Sequence, residues 1–571
     1  MTNRSNGLPR LRATALAVAL AASCGQALAF EFDTGDQDLK IRWDNTFKYS
    51  TIYRLHDPDA GQLASFAAGG GAGDGDFNFK KGFASQRLDW LTEFDAVKDG
   101  DKGLRISATG WYDPVYLRHN DNPGTSGSSH NITTPANEFT DDTKHDVGRD
   151  LRLMDAFVFF KGNLADMPAS VRIGQHTVIY GETLMSGSNG IAAAQGPVDI
   201  VKAATVPGAQ VKEFLLPTPQ VSFTLQPSTK VSLGAYYQFR WEKSSFFPAG
   251  SFLSPNDITG RGGESMLNTL QVPATADMKA RNSGQWGTQL RYKPEGTDVE
   301  LGFYAANYHD KTASAVYSNV GVNAQLTSFG LTPPTSIAPA SYTRVFAQDI
   351  RTYGMSASTL LGDDNVSAEA SVRRNVPLTG GLCAPTDAAH PLGCGYVLNT
   401  TTLLGGPAYD NKDNPLYAVG NTTHMTLVDI HVFQPNAILR DGGSLAVQYD
   451  WHTVNSVTKN ATQIDPQTTK SASTITFAFS ADWFQAFDGV DLSFPIVWTR
   501  NVSGRSRVYV GWVENGGSID LGVTAKYLTK WKAGLNYHHF TGKHGTDIGV
   551  ASFDQTAWDR DYVSFNLSTT F

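Results

Sequence analysis

From Leu39 onward, apolar and polar side chains alternate over segments of about ten residues, the period that puts each set on its own face of a β-strand. Leu39, Ile41, Trp43, Asn45, Phe47 and Tyr49 share one face of the first segment, and Lys40, Arg42, Asp44, Thr46 and Lys48 share the other. The same split recurs in Val231, Leu233, Ala235 and Tyr237 against Ser232, Gly234, Tyr236 and Gln238, and in Ile519, Leu521, Val523 and Ala525 against Asp520, Gly522, Thr524 and Lys526. One face suits hydrocarbon and the other suits water. Such strands are expected to begin near residues 38, 85, 103, 150, 169, 219, 230, 284, 298, 348, 365, 422, 443, 474, 489, 518, 530 and 557.

A soluble sandwich also alternates, so the connections have to decide. Short turns such as VKDGDKG, QPSTK, KPEGT and LGDDN take turns with long segments at 55–83, 118–148, 181–217, 243–283, 309–347 and 375–420. Long connections confined to one end are the habit of outer-membrane barrels, in which closure leaves no strand edge unpaired in lipid. The expectation is an all-β, antiparallel transmembrane barrel of about eighteen strands, with sixteen to eighteen compatible. Trp43, Trp90, Trp451, Trp483, Trp498 and Trp531 fall near strand ends, where aromatic girdles form. The last segment, DYVSFNLSTTF, alternates up to Phe571. A closing Phe of this kind resembles the signal read by the bacterial barrel-assembly machinery, an expected partner alongside outer-membrane lipid and lipopolysaccharide.

Composition narrows the picture. The chain of 571 residues has 46 Lys+Arg against 54 Asp+Glu, a formal charge of −8, and only 18% charged residues. The acidic balance argues against a nucleic-acid partner, because phosphate neutralisation needs concentrated Lys and Arg. Residues 1–29 carry Arg4, Arg10 and Arg12, an apolar stretch from Ala13 to Ala22, and Ala27-Leu28-Ala29. That order reads as a signal peptide cleaved near Ala29, which leaves residues 30–571 as a single barrel in the Gram-negative outer membrane. Beyond that leader, no apolar run approaches the length of a membrane-spanning helix. Cys383 and Cys394, in a Gly- and Pro-punctuated segment of an exported chain, are expected to form a loop disulfide.

Inward parity gathers charges of both signs in the lumen, including Arg42, Arg105, Arg172, Glu300, Glu369, Arg373 and Asp450. They read either as cross-strand ion pairs in a solvated wall or as opposed sectors that orient a dipolar solute. The segment 181–217 is different: it is small, apolar and Pro-punctuated. In water it would be a sticky patch, so it is expected to fold inward as a constriction, with Gly190 and Gly208 permitting turns and Pro197, Pro207 and Pro217 limiting flexibility. Glu182, Asn189, Asp199, Lys212 and Glu213 are its candidates for solute contact or loop anchoring.

RIGQHTVIYGET, SNGI, PVD, VPGAQVKE and LPTPQ, followed by YYQFRWEK and QDIRTYGMS, resemble a proteobacterial family of roughly 600-residue proteins described only as a domain of unknown function. Members usually have Trp-Gly-Glu and Asn-Pro-x-Asp where this chain has Tyr180-Gly181-Glu182 and Gly196-Pro197-Val198-Asp199. The resemblance implies an outer-membrane barrel. It also implies traffic of hydrophobic or organic molecules, because the family's genes often lie beside those of lipid-handling inner-membrane transporters, and it supplies no catalytic residues.

No GxSxG or HExxH spacing occurs; His176 lies near Glu182 and His538-His539 near a hairpin, and each reads as an ordinary wall or loop histidine rather than a general base. No enzyme activity, metal or cofactor is expected. The sequence therefore reads as a porin-like conduit for small organic, hydrophobic or amphipathic solutes, against the alternative of a non-conducting barrel that is structural or binds partners.

Overall fold

The computed structural model describes residues 30–69, 73–185, 187–266, 272–322, 337–378, 396–399, 409–509, 512–545 and 553–571. The leader at 1–29 and both Cys383 and Cys394 lie outside the described residues.

Eighteen antiparallel strands close into one barrel. In chain order they are β1 (Leu39–Arg54), β2 (Gly82–Lys98), β3 (Lys102–Tyr112), β4 (Arg149–Leu164), β5 (Met167–His176) and β6 (Thr218–Ser228). There follow β7 (Val231–Gln238), β8 (Gln285–Tyr292), β9 (Glu300–Tyr308), β10 (Ile350–Leu361), β11 (Asp364–Leu378) and β12 (Ala418–Phe433). The set ends with β13 (Gly443–Lys459), β14 (Ser471–Phe487), β15 (Val490–Ser503), β16 (Gly517–Tyr527), β17 (Trp531–Thr541) and β18 (Tyr562–Thr570). Each strand pairs with its sequence neighbours. The seam joins β1 to β18 from Thr46↔Thr570 to Arg54↔Tyr562. Phe571 completes the seam: its N–H and C=O bond the backbone of Asn45 at 2.9 and 2.7 Å, and its ring stacks on Phe47.

The strands begin within a few residues of the expected positions, most displaced at the last, which starts at Tyr562 rather than near 557. The intervening residues belong instead to an outer loop in which Arg560 is buried against Asp76. Period-two alternation holds along the strands except at bulges, as on β4, where outward Leu151 and Leu153 are followed by outward Val158 and Phe160. Leu151, Phe160, Met355, Leu427, Leu521 and Leu535 project outward and are all at least two-fifths exposed. A belt of this extent exceeds the apolar patches that water-soluble surfaces carry and fits hydrocarbon. Trp90 stacks on Phe47, Trp498 on Phe477, and Trp483 meets Phe494 edge-on, so the aromatic rings pair across strands within the belt.

All long connections emerge at one end, and tight turns such as 99–101, 165–166, 229–230 and 488–489 close the other. The long loops pack into a cap with cores of its own. Phe79, Tyr116, Phe139 and Phe252 form one cluster, and Tyr317, Val345, Tyr417 and Val419 another. The exception is the connection from β5 to β6, residues 177–217, which bonds to inward-facing side chains of the barrel wall.

Candidate functional site

A loop inside a barrel brings backbone N–H and C=O groups away from water, and each needs a partner. The wall supplies those partners with charged side chains. The Glu369 carboxylate on β11 accepts the N–H of Glu182 at 2.8 Å and that of Ile191. Four residues along the same strand and on the same face, Arg373 donates to the carbonyls of Ser188 at 3.0 Å and Gly190 at 2.9 Å, and to that of Asn189. On β13, Gln448 Oε1 accepts the N–H groups of Leu184 at 3.0 Å and Met185 at 2.7 Å. Asn189 is buried, donating to the Met425 carbonyl at 2.9 Å and facing His424 Nδ1 at 3.0 Å. Asp450 is tied to Thr426 and Gln448, both at 2.7 Å.

The second half of the loop is held from the opposite wall. Asp199 caps the short helix Ile200–Thr205, with one oxygen accepting the Lys202 N–H at 2.9 Å and the other paired to Arg152 of β4 at 3.0 Å. Glu213 closes a capping box with Gln210 and pairs with Lys48 of β1 at 3.0 Å. Lys202 reaches Asp89 of β2 at 3.2 Å, and Asp89 is bound by Arg87 at 2.9 Å. The result is a buried chain of alternating charge: Arg87, Asp89, Lys202, Glu213 and Lys48, all less than a tenth exposed. Removing an acidic member, Asp89 or Glu213, leaves the terminal cation beside it, Arg87 or Lys48, buried without its close partner, a change of the kind that costs about 3–5 kcal/mol.

Two glycines follow from this seating. Gly208 has φ +68°, the left-handed region anticipated for it, and its carbonyl accepts Lys48 Nζ at 3.2 Å. Gly190 does not serve as a left-handed turn; its φ is −81°, and it is required because a Cβ would lie 1.8 Å from Thr183 Oγ1.

Of the five loop candidates, Asn189, Asp199 and Glu213 are anchors. Glu182 is mostly buried and pairs with Arg291 of β8 at 2.6 Å. Lys212 alone has a side chain nearly half exposed, and it reaches Glu93. Of the expected lumen charges, Glu369, Arg373 and Asp450 serve the loop or its neighbours through hydrogen bonds, and Arg42, Arg105 and Glu300 form ion pairs. Arg105 binds Asp95 at 2.9 Å, Asp155 at 3.1 Å and also Glu93; Arg291 binds Glu300 at 2.5 Å; and Arg42 binds Asp44 at 2.7 Å. Arg172 lies over the Phe157 ring. Sequence parity did not single out Phe157 and Phe159, which point inward among charged residues. They line a cavity of about 580 Å³ beneath Val211–Phe214, with Met154, Leu215, Arg105 and Lys212.

The remaining wall is of another kind. Register places Thr476, Ala478 and Ser480 of β14 beside Thr499, Val497 and Pro495 of β15. Next to these, Ser518, Asp520 and Gly522 of β16 adjoin Phe540, His538 and Asn536 of β17. Most of these side chains are small. Apart from Thr476 they are only partly covered, whereas Lys48, Arg87, Asp89, Ser107 and Thr109 on the anchoring strands are buried. Among the described residues, no hydrogen bond or ion pair runs from 177–217 to β14–β17.

An apolar belt outside, a closed sheet without edges, and a polar interior crossed by a loop define a transmembrane β-barrel with one connection bonded to its inner wall. A family model described as "Protein of unknown function (DUF1302)" matches residues 10–571, and the chain belongs to that family. No curated protein matches it in sequence. Similar solved structures include OccAB2 of Acinetobacter baumannii, at 11% identity and TM-score 0.42, covering 93% of this chain and 98% of that one. The outer membrane channel DcaP of the same organism aligns at 8% identity and TM-score 0.37, covering 95% and 99%. A BenF-like porin from Pseudomonas fluorescens Pf-5 aligns at 9% identity and TM-score 0.40, covering 94% and 98%.

Proposed function

We propose that the protein is an outer-membrane channel for small organic solutes with an apolar body, and that residues 177–217 set its aperture. The observation that supports this reading is the wall β14–β17. Its inward side chains are small, mostly partly accessible and unbonded to the loop, so a path lies between loop and wall. The cavity beneath Val211–Phe214 favours amphipathic solutes with a negative end. Phe157, Phe159, Met154 and Leu215 offer apolar contact, and Lys161 and Arg172 offer positive charge beside the Arg105–Asp155 and Lys212–Glu93 pairs.

Planar-bilayer conductance of the refolded chain, beside a variant lacking residues 190–210, tests the proposal. Small steps from the full chain and several-fold larger ones from the deletion support it. Silence from both, with heat-modifiable folding intact, overturns it in favour of a partner-binding barrel.

A further inference from the structure

The outer rim of the barrel has a step in it. β4 has 16 residues and β5 has 10, and their ladder stops at the pair Ala156↔Gln175. Above that pair, residues 149–153 stay bonded to β3, while among the described residues no strand pairs with the other edge of 149–155. Bare edge groups are costly beside lipid, and here side chains meet them. Asp150 Oδ1 accepts the Leu151 N–H at 2.8 Å, and Gln175 Nε2 donates to the carbonyls of Leu153 at 3.0 Å and Met154 at 2.8 Å. Leu151 and Leu153 flank this edge, 66% and 50% exposed. The chain that follows β7 turns away from the step. The Phe239 N–H still bonds the Pro219 carbonyl at 2.9 Å, but Ser244 then donates to the Lys311 carbonyl at 2.8 Å and Ser245 to that of Val198 at 3.0 Å.

The gap leads inward. Leu153 and Gln175 carry the outward parity of their strands, yet they line one cavity of about 710 Å³ with Phe246, Lys311 and Trp512. That cavity therefore runs from the lipid-facing side of β4 to the vestibule above the loop. Met154 and Pro217 line it as well, and both also line the cavity beneath Val211–Phe214. Lys311 is only 6% exposed, and among the described residues no carboxylate lies within ion-pair distance of it; its neighbour Asp310 accepts from Ser314 Oγ at 2.8 Å instead. The other cations lining the cavity are matched: Arg152 with Asp199, Arg240 with Glu242, Lys243 and Arg344 with Asp277, and Arg261 with Asp146. A buried cation without a counter-charge is costly, and a monoanionic ligand supplies one.

We propose that residues 149–155 border a lateral entrance through which a single-chain carboxylate amphiphile passes from the outer leaflet into the vestibule, its carboxylate meeting Lys311 and its chain lying along Leu151 and Leu153. This rests on the channel reading and adds the route by which an apolar solute reaches the loop. Partitioning concentrates such a molecule in the bilayer beside the wall, not in the water above the mouth.

The test irradiates the folded chain in phosphatidylcholine nanodiscs with palmitic acid carrying a diazirine near its methyl end, and maps the labelled peptides. Label within 149–155 is expected to be displaced by excess palmitic acid and not by hexadecanol, whereas label at Leu521 and Leu535 on the closed wall is not displaced. Lys311→Met should lower the displaceable label several-fold with heat-modifiable migration intact. A hexanoic acid diazirine supplied in the water should leave 149–155 unlabelled. Label that palmitic acid fails to displace, label indifferent to Lys311→Met, or equal capture of the water-borne probe overturns the proposal. Should Lys311→Met fail to fold, Leu153→Asp at its exposed position decides: loss of displaceable label supports the entrance and unchanged label refutes it. Bilayer conductance of the same preparations separates the two readings. A conducting chain without displaceable label overturns the entrance alone, and displaceable label on a chain silent in bilayers upholds the side opening and overturns the channel.

Discussion

The two sides of the lumen obey the same alternation and do opposite things. On β1–β4 and β11–β13 many inward positions are charged, amide, imidazole or hydroxyl side chains that are buried, several of them against the loop. On β14–β17 they are mostly Thr, Ser, Ala, Gly, Val and Pro, partly open because nothing covers most of them. Charge on the first side serves the loop's backbone, as Glu369 does for N–H groups and Arg373 for C=O groups. On the second side, no described hydrogen bond or ion pair ties the loop to the wall, and it is there that the proposed path would run.

The largest effect should come from breaking the anchored side. Lys48→Met removes the close partner of the buried Glu213 carboxylate and leaves it only Lys202 at 3.9 Å, at a cost of about 1–3 kcal/mol to loop seating. Single-channel conductance should rise several-fold and protease should cut within 200–215. Unchanged conductance and protection would show that the loop is held by other means. Adding Glu213→Gln should restore most of the seating, because the unpaired charge is then removed.

Filling the free side comes next. Val497→Trp or Ser480→Trp should cut conductance several-fold with little change in thermal midpoint, since the ring enters open space. Ser107→Trp on the covered side should instead destabilise the barrel by about 1–3 kcal/mol, the cost of overpacking. If both kinds of variant behave alike, the two walls do not differ as described.

A smaller effect is expected at the cavity beneath the loop. Lys212→Ala should weaken block of the channel by an aromatic carboxylate about two- to five-fold, in keeping with a half-exposed charge worth up to about 1 kcal/mol. Block by the corresponding neutral alcohol should not change.

The smallest lies at the outer mouth, where Lys311 lines a second cavity of about 710 Å³ with Tyr509 and Trp512. Burial lowers its amine from 10.5 to about 8. It is therefore charged at neutral pH and discharges as pH rises through that value. Reversal potentials should drift toward cation preference between about pH 7 and 9, and Lys311→Met should abolish the drift. Because the folded chain binds fewer protons than the unfolded one between about 8 and 10.5, stability should rise across that window relative to the variant.

Strand count, strand order and the inward or outward sense of most side chains were legible in the sequence, because a period of two and a lipid exterior leave little freedom along a strand; the bulge that turns Phe157 and Phe159 inward on β4 was not. The odd composition of 181–217 marked it in the same way. Its partners could not be read: Lys48 and Glu213 are 165 residues apart, and Asn189 and Asp450 are 261 apart. Local pattern carries no information on which wall a loop meets. Gly190 shows the limit at one residue, since the sequence suggested a turn and the structure instead requires room beside Thr183. Leu153 and Lys311 show it at a larger scale, each ordinary within its own segment and brought to one cavity only by the tertiary fold. The sequence by itself determined a closed amphipathic barrel, because hydrophobic burial and backbone pairing act on neighbours along a strand. Tertiary structure alone decided which charges lock, which wall stays free and where the loops converge, because those outcomes depend on long-range charge neutralisation inside a low-dielectric space.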